Sequence, residues 1–210
     1  MKTKFASLAA VASFSALSPA YAANLVSNGS FEAGNTGFWS DLTYQSNLGP
    51  AGTYYVGSNP NDYHPGFSSF AAQDGAQMMI INADTRAGVT WGQNGISVSP
   101  HTTYYFSGWI ASVYPDSPAV LSVAVNGNAL GTHTATLDGK WSQFSLAWDS
   151  GSNSTANLTI VNLNLALGGN DLAMDNIEFY TTAVPEPETY AMMLAGLGVL
   201  GAVARRRKTQ

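Results

Sequence analysis

Between Gln77 and Tyr180 the apolar residues fall on alternate positions, and that period of two confines this stretch of the chain to β-structure. Thr103 to Val113 shows it best, with Tyr104, Phe106 and Ile110 on one side and Tyr105 and Trp109 on the other. Ala119 to Val125 sets Leu121, Val123 and Val125 against Val120, Ser122 and Ala124, then meets Asn126-Gly127. That dipeptide suits a two-residue hairpin, whose central residues both need positive φ. Trp141 to Trp148 aligns Phe144, Leu146 and Trp148. Gln77 to Asn82, Val89 to Ser99, Ala156 to Leu167 and Leu172 to Tyr180 read as further strands. Turn residues separate them at Asn82-Ala83-Asp84, Pro100-His101 and Asp149 to Asn153. No helical period competes. Eight or more strands at this spacing predict an all-β fold, a jelly-roll β-sandwich. Leu25 to Asn82 is less regular, rich in Gly, Asn and Tyr, and reads as long loops over one end.

Both ends are of another kind. Lys2 and Lys4 precede an apolar, small-residue run from Phe5 to Leu17, and Pro19 leads into Ala20-Tyr21-Ala22. This order predicts a signal peptide over residues 1–22, with a mature chain starting near Ala23. At the other end Ala191 to Ala204 contains no charge, and Arg205, Arg206, Arg207 and Lys208 follow it. A helix of that length spans about 21 Å, short of the roughly 30 Å hydrocarbon core. Residues 191–204 are therefore expected to form a single, transient membrane helix. The basic tail 205–208 stays cytoplasmic and the domain of residues 23–183 lies outside.

The six basic residues of the two ends mask the charge of that domain. Residues 23–183 keep Arg86 and Lys140 against eleven acids, a net charge of −9. Such a surface repels nucleic acid and anionic lipid and favours divalent cations and neutral polymers. The chain has no cysteine, so neither a disulfide nor a thiol nucleophile is available.

Catalytic patterns are missing from the sequence. His64, His101 and His133 stand apart, and neither G-x-S-x-G nor H-E-x-x-H occurs. Acids such as Asp138 and Asp149 sit beside turn glycines, where a backbone role accounts for them. Gly196 to Gly201 matches G-x-G-x-x-G but lacks the strand, helix and later acid of a dinucleotide site. Its glycines are read as a close-packing face of the membrane helix. The chain is expected not to be an enzyme, although carboxylate pairs for glycoside hydrolysis can form in space.

Val184-Pro185-Glu186-Pro187, the apolar run and Arg205, Arg206 and Arg207 resemble the PEP-CTERM sorting signal of Gram-negative bacteria over residues 184–210. The resemblance implies processing near Pro185, Glu186 and Pro187 by an exosortase, a membrane-embedded protease. It implies export, transient inner-membrane anchoring and a place at the cell surface or in an extracellular matrix with exopolysaccharide and biofilm.

Asn28-Gly29-Ser30-Phe31-Glu32 opens the domain and Asp175-Asn176-Ile177 closes it. With Trp109 and Gly169-Asn170-Asp171, they resemble galactose-binding-like jelly rolls and carbohydrate-binding modules. That likeness implies a structural Ca2+ site held by Glu32 and Asp175, with a carbonyl near Ser30, binding the first segment to the last strand. Calcium takes six to eight hard oxygens at about 2.3–2.6 Å, and two carboxylates are few for a full cage. The alternative is that Glu32 caps a loop and Asp175 accepts backbone amides. Sugar C–H faces stack on aromatic rings. Trp39, Tyr54, Tyr55 and Tyr63, in the loop-rich first third, are the candidate carbohydrate contacts, and strand tryptophans belong to the core. The expected act is non-catalytic exopolysaccharide binding; a structural matrix protein with protein partners and a glycan hydrolase are the alternatives.

Overall fold

The computed structural model describes residues 23–137, 139–181 and 196. The signal peptide, the membrane helix and the sorting-signal residues Pro185, Glu186, Pro187, Arg205, Arg206 and Arg207 lie outside the described residues. No described helix is long and apolar enough to cross a membrane. Residues Ala22–Thr182 form a compact unit with its own hydrophobic core, the requirement for folding alone.

That unit is a jelly-roll β-sandwich. One sheet has six strands in the order β1 (Thr43–Tyr44), β2 (Thr53–Gly57), β3 (Met78–Asn82), β10 (Leu172–Thr181), β5 (Thr103–Ser112) and β8 (Ser142–Asp149). The other has four, β4 (Val89–Ser97), β9 (Thr155–Asn162), β6 (Val120–Val125) and β7 (Asn128–Thr134). All pairings are antiparallel except β1 with β2. The inner faces meet over Phe31, Met79, Ile81, Trp91, Phe106, Ile110, Leu121, Val123, Leu158, Ile160, Met174 and Phe179, all fully buried. The alternation read in Thr103–Val113 and Ala119–Val125 decides which side chains reach this core. Asn126 (φ 52) and Gly127 (φ 77) make the hairpin turn between β6 and β7.

Two boundaries differ from the sequence reading. Residues 25–82 are not loops alone: β1 and β2 lie within them, and β2 buries Tyr54 and Val56. The strand expected to reach Leu167 stops at Asn162. There the side chains of Asn162 and Asn164 replace the ladder. Asn162 Oδ1 accepts from Val120 N and Asn164 N, while Asn164 Nδ2 donates to Ser117 O and Pro118 O. Leu163, Leu165 and Leu167 are left exposed.

The ends of the domain are joined by sheet-like bonds. The register of β10 against β5 shifts between Asp175 and Glu178, and Asn176 takes a φ of 47°. Beyond this bulge the opening segment lies alongside β10. Leu25 N donates to Phe179 O, Ile177 N to Gly29 O, and Asn24 Oδ1 accepts from Phe179 N. The opening segment thus continues the sheet edge that β3 leaves after Met174.

Candidate functional site

The outer face of the six-stranded sheet is where this fold places its unusual chemistry. On β5, β8 and β10 every second side chain points away from the core. Cross-strand register sets Tyr105 beside Tyr180 and Ala147, Ser107 beside Glu178 and Ser145, and Trp109 beside Asp175 and Gln143. Half of this face is covered. Phe67 and Leu48 pack on Met78, Ile80, Val113 and Ala173, making a second small core with Tyr55, Tyr63, Phe70 and Trp141 at its margin. Leu48 reaches it from the turn between β1 and β2, and the rest of the cover runs between β2 and β3 and includes the short 3-10 turn Pro60–Asp62.

The other half is open. Tyr105 and Tyr180 stack at 5.8 Å with an interplanar angle of 25°, and both are half-buried, as is Trp109. Between them Glu178 is partly exposed and accepts from Ser107 Oγ at 3.3 Å. Gln143 and Ser145 are exposed along the adjoining edge strand. Three rings, with the Gln143 amide, the Ser145 hydroxyl and the Glu178 carboxylate among them and Ser107 buried beneath, form an amphipathic platform. It can stack on C–H faces and hydrogen-bond the hydroxyls between them. The sequence paired Tyr105 with Trp109 on one strand side but assigned the strand tryptophans to the core; for Trp109 that is corrected, because its side of β5 faces outward.

The four predicted carbohydrate residues do not share a face. Tyr54 points inward, 5 % exposed, with its hydroxyl on Asn35 Oδ1 at 2.8 Å. Its expected exposure is corrected: on β2 the alternation turns Tyr54 to the core and Tyr55 outward. Tyr55 and Tyr63 are half-buried and lie 4.6 Å apart, and Tyr44, missed from the sequence, stacks on Tyr55 at 5.2 Å and 15°. Tyr44 is 42 % exposed, so this ladder opens at the β1 edge of the same sheet. Trp39 belongs to the other sheet's edge. Its backbone pairs with Gly92 of β4, and its exposed ring borders a cleft of about 540 Å3 with Phe38, Gln93, Asn94 and Ile96.

Glu32 and Asp175 close on one turn. Asp175 Oδ2 accepts from Gln73 N and Asp74 N at 2.8 and 2.9 Å, and its Oδ1 from Asn176 N at 2.7 Å. Glu32 Oε1 accepts from Ala76 N and Gln77 N, each at 2.7 Å. Burial pushes the Asp175 carboxyl up to about 6, against the pull of these amides. For calcium the fit is right in kind, since both groups are hard oxygens beside the same five residues. It is short in number, because among the described residues no three His, Cys, Asp or Glu gather. Ser30 is half-buried between Gly29 and Phe31.

Among the described residues no histidine pairs with an acid. His133, the one with a resolved shift, has its pKa lowered by burial, and Nε2 lies 3.1 Å from Ser142 Oγ.

Solved structures share the architecture at low identity. The Stig cyclase Fisc from Fischerella sp. TAU matches with a TM-score of 0.57 at 10 % identity, covering 79 % of this chain and 100 % of that one. The N-terminal CBM22-1-CBM22-2 tandem domain from Paenibacillus barcinonensis Xyn10C matches at 0.51 and 18 %, covering 81 % of this chain and 49 % of that one. The enzymatically active domain of bacteriophage CBA120 tailspike protein 4 matches at 0.50 and 16 %, covering 75 % and 21 %. Cyclase, CBM22 tandem and tailspike differ in role, so the likeness carries the fold and not the activity. No curated protein sequence matches the chain. The tail is specific where the fold is general: residues 183–208 carry a PEP-CTERM protein-sorting motif, which marks an exported protein processed at the membrane.

Proposed function

We propose that this is a cell-surface or matrix protein, released or transferred by an exosortase-type protease, whose sandwich binds exopolysaccharide without catalysis. The open platform of Tyr105, Trp109, Tyr180 and Glu178 carries this reading. Its rings are held by the sheet, so little side-chain entropy is lost on stacking a sugar. Affinity per site is modest and grows through many copies along a polymer. Hydrolysis would need two working carboxylates across a bond. Glu178 faces the platform, whereas the oxygens of its neighbour Asp175 are engaged by amides.

The measurement is glycan retention by residues 23–181. Trp109→Ala is expected to weaken it at least tenfold, about 1.4 kcal/mol, the order expected for one stacked ring. Its half-buried position keeps the fold, which a thermal melt checks. A wild-type domain that retains no polysaccharide at millimolar sugar sinks the reading. A second reading, a structural protein with protein partners, is favoured by the exposed Leu163, Leu165 and Leu167. It predicts retention of matrix proteins that Leu165→Ser and Leu167→Ser abolish.

We also propose a structural calcium ion between Glu32, Asp175 and the Ser30 carbonyl, supported by the two carboxylates closing on one turn. When bound it supplies positive charge to carboxylates otherwise held by amides alone. Calcium is then expected to raise the melting temperature and chelation to lower it. Equal melting in both removes the ion and leaves the amides as the whole tie.

A further inference from the structure

Glu178 is an unusual group to find in the middle of an aromatic platform. It stands on the outward side of β10, opposite Ser107 and one outward position from Tyr180. Ser107 Oγ reaches it at 3.3 Å, a long bond for a charged acceptor. Among the described residues no ion pair reaches it: the one present joins Arg86 to Asp84, in the loop between β3 and β4. The domain around it carries eleven acids and only Arg86 and Lys140 as bases. A carboxylate left partly exposed among rings is a cation-recognising arrangement, because ring faces and the carboxylate attract the same positive charge. The hydroxyls of a neutral sugar can donate to Glu178, but only a cation also offsets its charge as stacking takes it out of water.

Resting on the polysaccharide-binding reading, we infer that the ligand of this face is a cationic polysaccharide, a polymer bearing free amino sugars. Its rings stack on Trp109 and on the Tyr105–Tyr180 pair, and an ammonium group sits at Glu178. Along β5, Tyr105 and Trp109 are about 13 Å apart, so the platform spans more than one sugar. The net charge of −9 draws such a polymer in, and Glu178 fixes where an amine must lie.

Chitosan, a glucosamine polymer, and the same polymer after N-acetylation share one backbone, and acetylation replaces the charged amine by a neutral amide. Residues 23–181 are expected to bind the free-amine polymer at least tenfold more tightly at low salt, with the advantage shrinking as salt rises. Glu178→Gln keeps the acceptor for Ser107 Oγ and is expected to remove most of that preference while leaving the melting temperature unchanged. Trp109→Ala is expected to weaken both polymers. Polylysine separates recognition from bulk attraction, and it should bind more weakly than chitosan and be indifferent to Trp109→Ala. Equal binding of the two sugar polymers, an unaffected Glu178→Gln, or polylysine binding as tightly as chitosan each overturns the inference. Of these, only the first leaves the face standing as a neutral-glycan platform. Retention of neither polymer overturns this inference, while other glycans bound at the same face would keep the broader reading alive.

Discussion

Gly29→Ala is expected to cost the domain about 3–5 kcal/mol, the loss usually seen when a buried phenylalanine is truncated. A Cβ at residue 29 would overlap the Ile177 carbonyl oxygen and meet Val26 Cγ1 at 3.2 Å. The clash is backbone against backbone, so no side chain can rotate away. The opening segment must lift, breaking the bond from Ile177 N to Gly29 O. Phe31, fully buried at φ 58, and Val26 leave the core with it. Glu32 then loses its hold on Ala76 N and Gln77 N. A domain of this size is stable by about 5–15 kcal/mol, so the loss is a large part of the total. The melting temperature should fall by about 10 °C or more. Gly34→Ala is the control: its φ of 71° is strained for alanine, but open space surrounds it, and the cost should be near 1 kcal/mol. If Gly29→Ala melts no lower than Gly34→Ala, the opening segment is not held as described.

This result gives Asn28-Gly29-Ser30-Phe31-Glu32 a physical meaning that its letters alone do not. Asn28 tolerates a φ of 54° because its side chain caps the turn, donating to Gly34 O and Thr36 O and accepting from Ala33 N. Gly29 permits close approach, Phe31 anchors, and Glu32 collects amides. The sandwich was legible because period two and turn dipeptides are local signals: β3, β4, β5, β6, β8 and β10 fall within a few residues of their sequence positions. The platform was less legible. Alternation assigns Tyr105 and Trp109 to one side of β5, but only the pairing of β10 and β8 on either flank shows which side faces outward. Tyr44 was missed because β1 has two residues, too few for a period, and its stacking on Tyr55 depends on parallel pairing with β2. The 58–77 connection carries no period of its own, so its covering role is set by Phe67, and by Leu48 across the chain.

The second large effect concerns pH. Asp171 is 7 % exposed, and burial pushes its carboxyl from 3.8 up to about 6, opposed by its bond from Ala83 N at 2.9 Å. The folded chain therefore keeps a proton that the unfolded chain has already released. Between pH 4 and 6 the native state binds more protons, so stability falls as pH rises. The contribution is complete below about pH 4 and lost above about pH 6. A shift of about two units corresponds to roughly 3 kcal/mol. Asp175 is shifted in the same direction, and net negative charge adds repulsion as pH rises. On these two groups stability is thus expected to be highest at about pH 4 and to fall towards neutrality. Asp171→Asn keeps an oxygen for Ala83 N and removes the buried charge. It is expected to gain about 1–3 kcal/mol at pH 7.5, to gain little at pH 4, and to flatten the melting curve between them. A variant less stable than wild type at pH 7.5 would overturn the view that the buried Asp171 charge costs the fold.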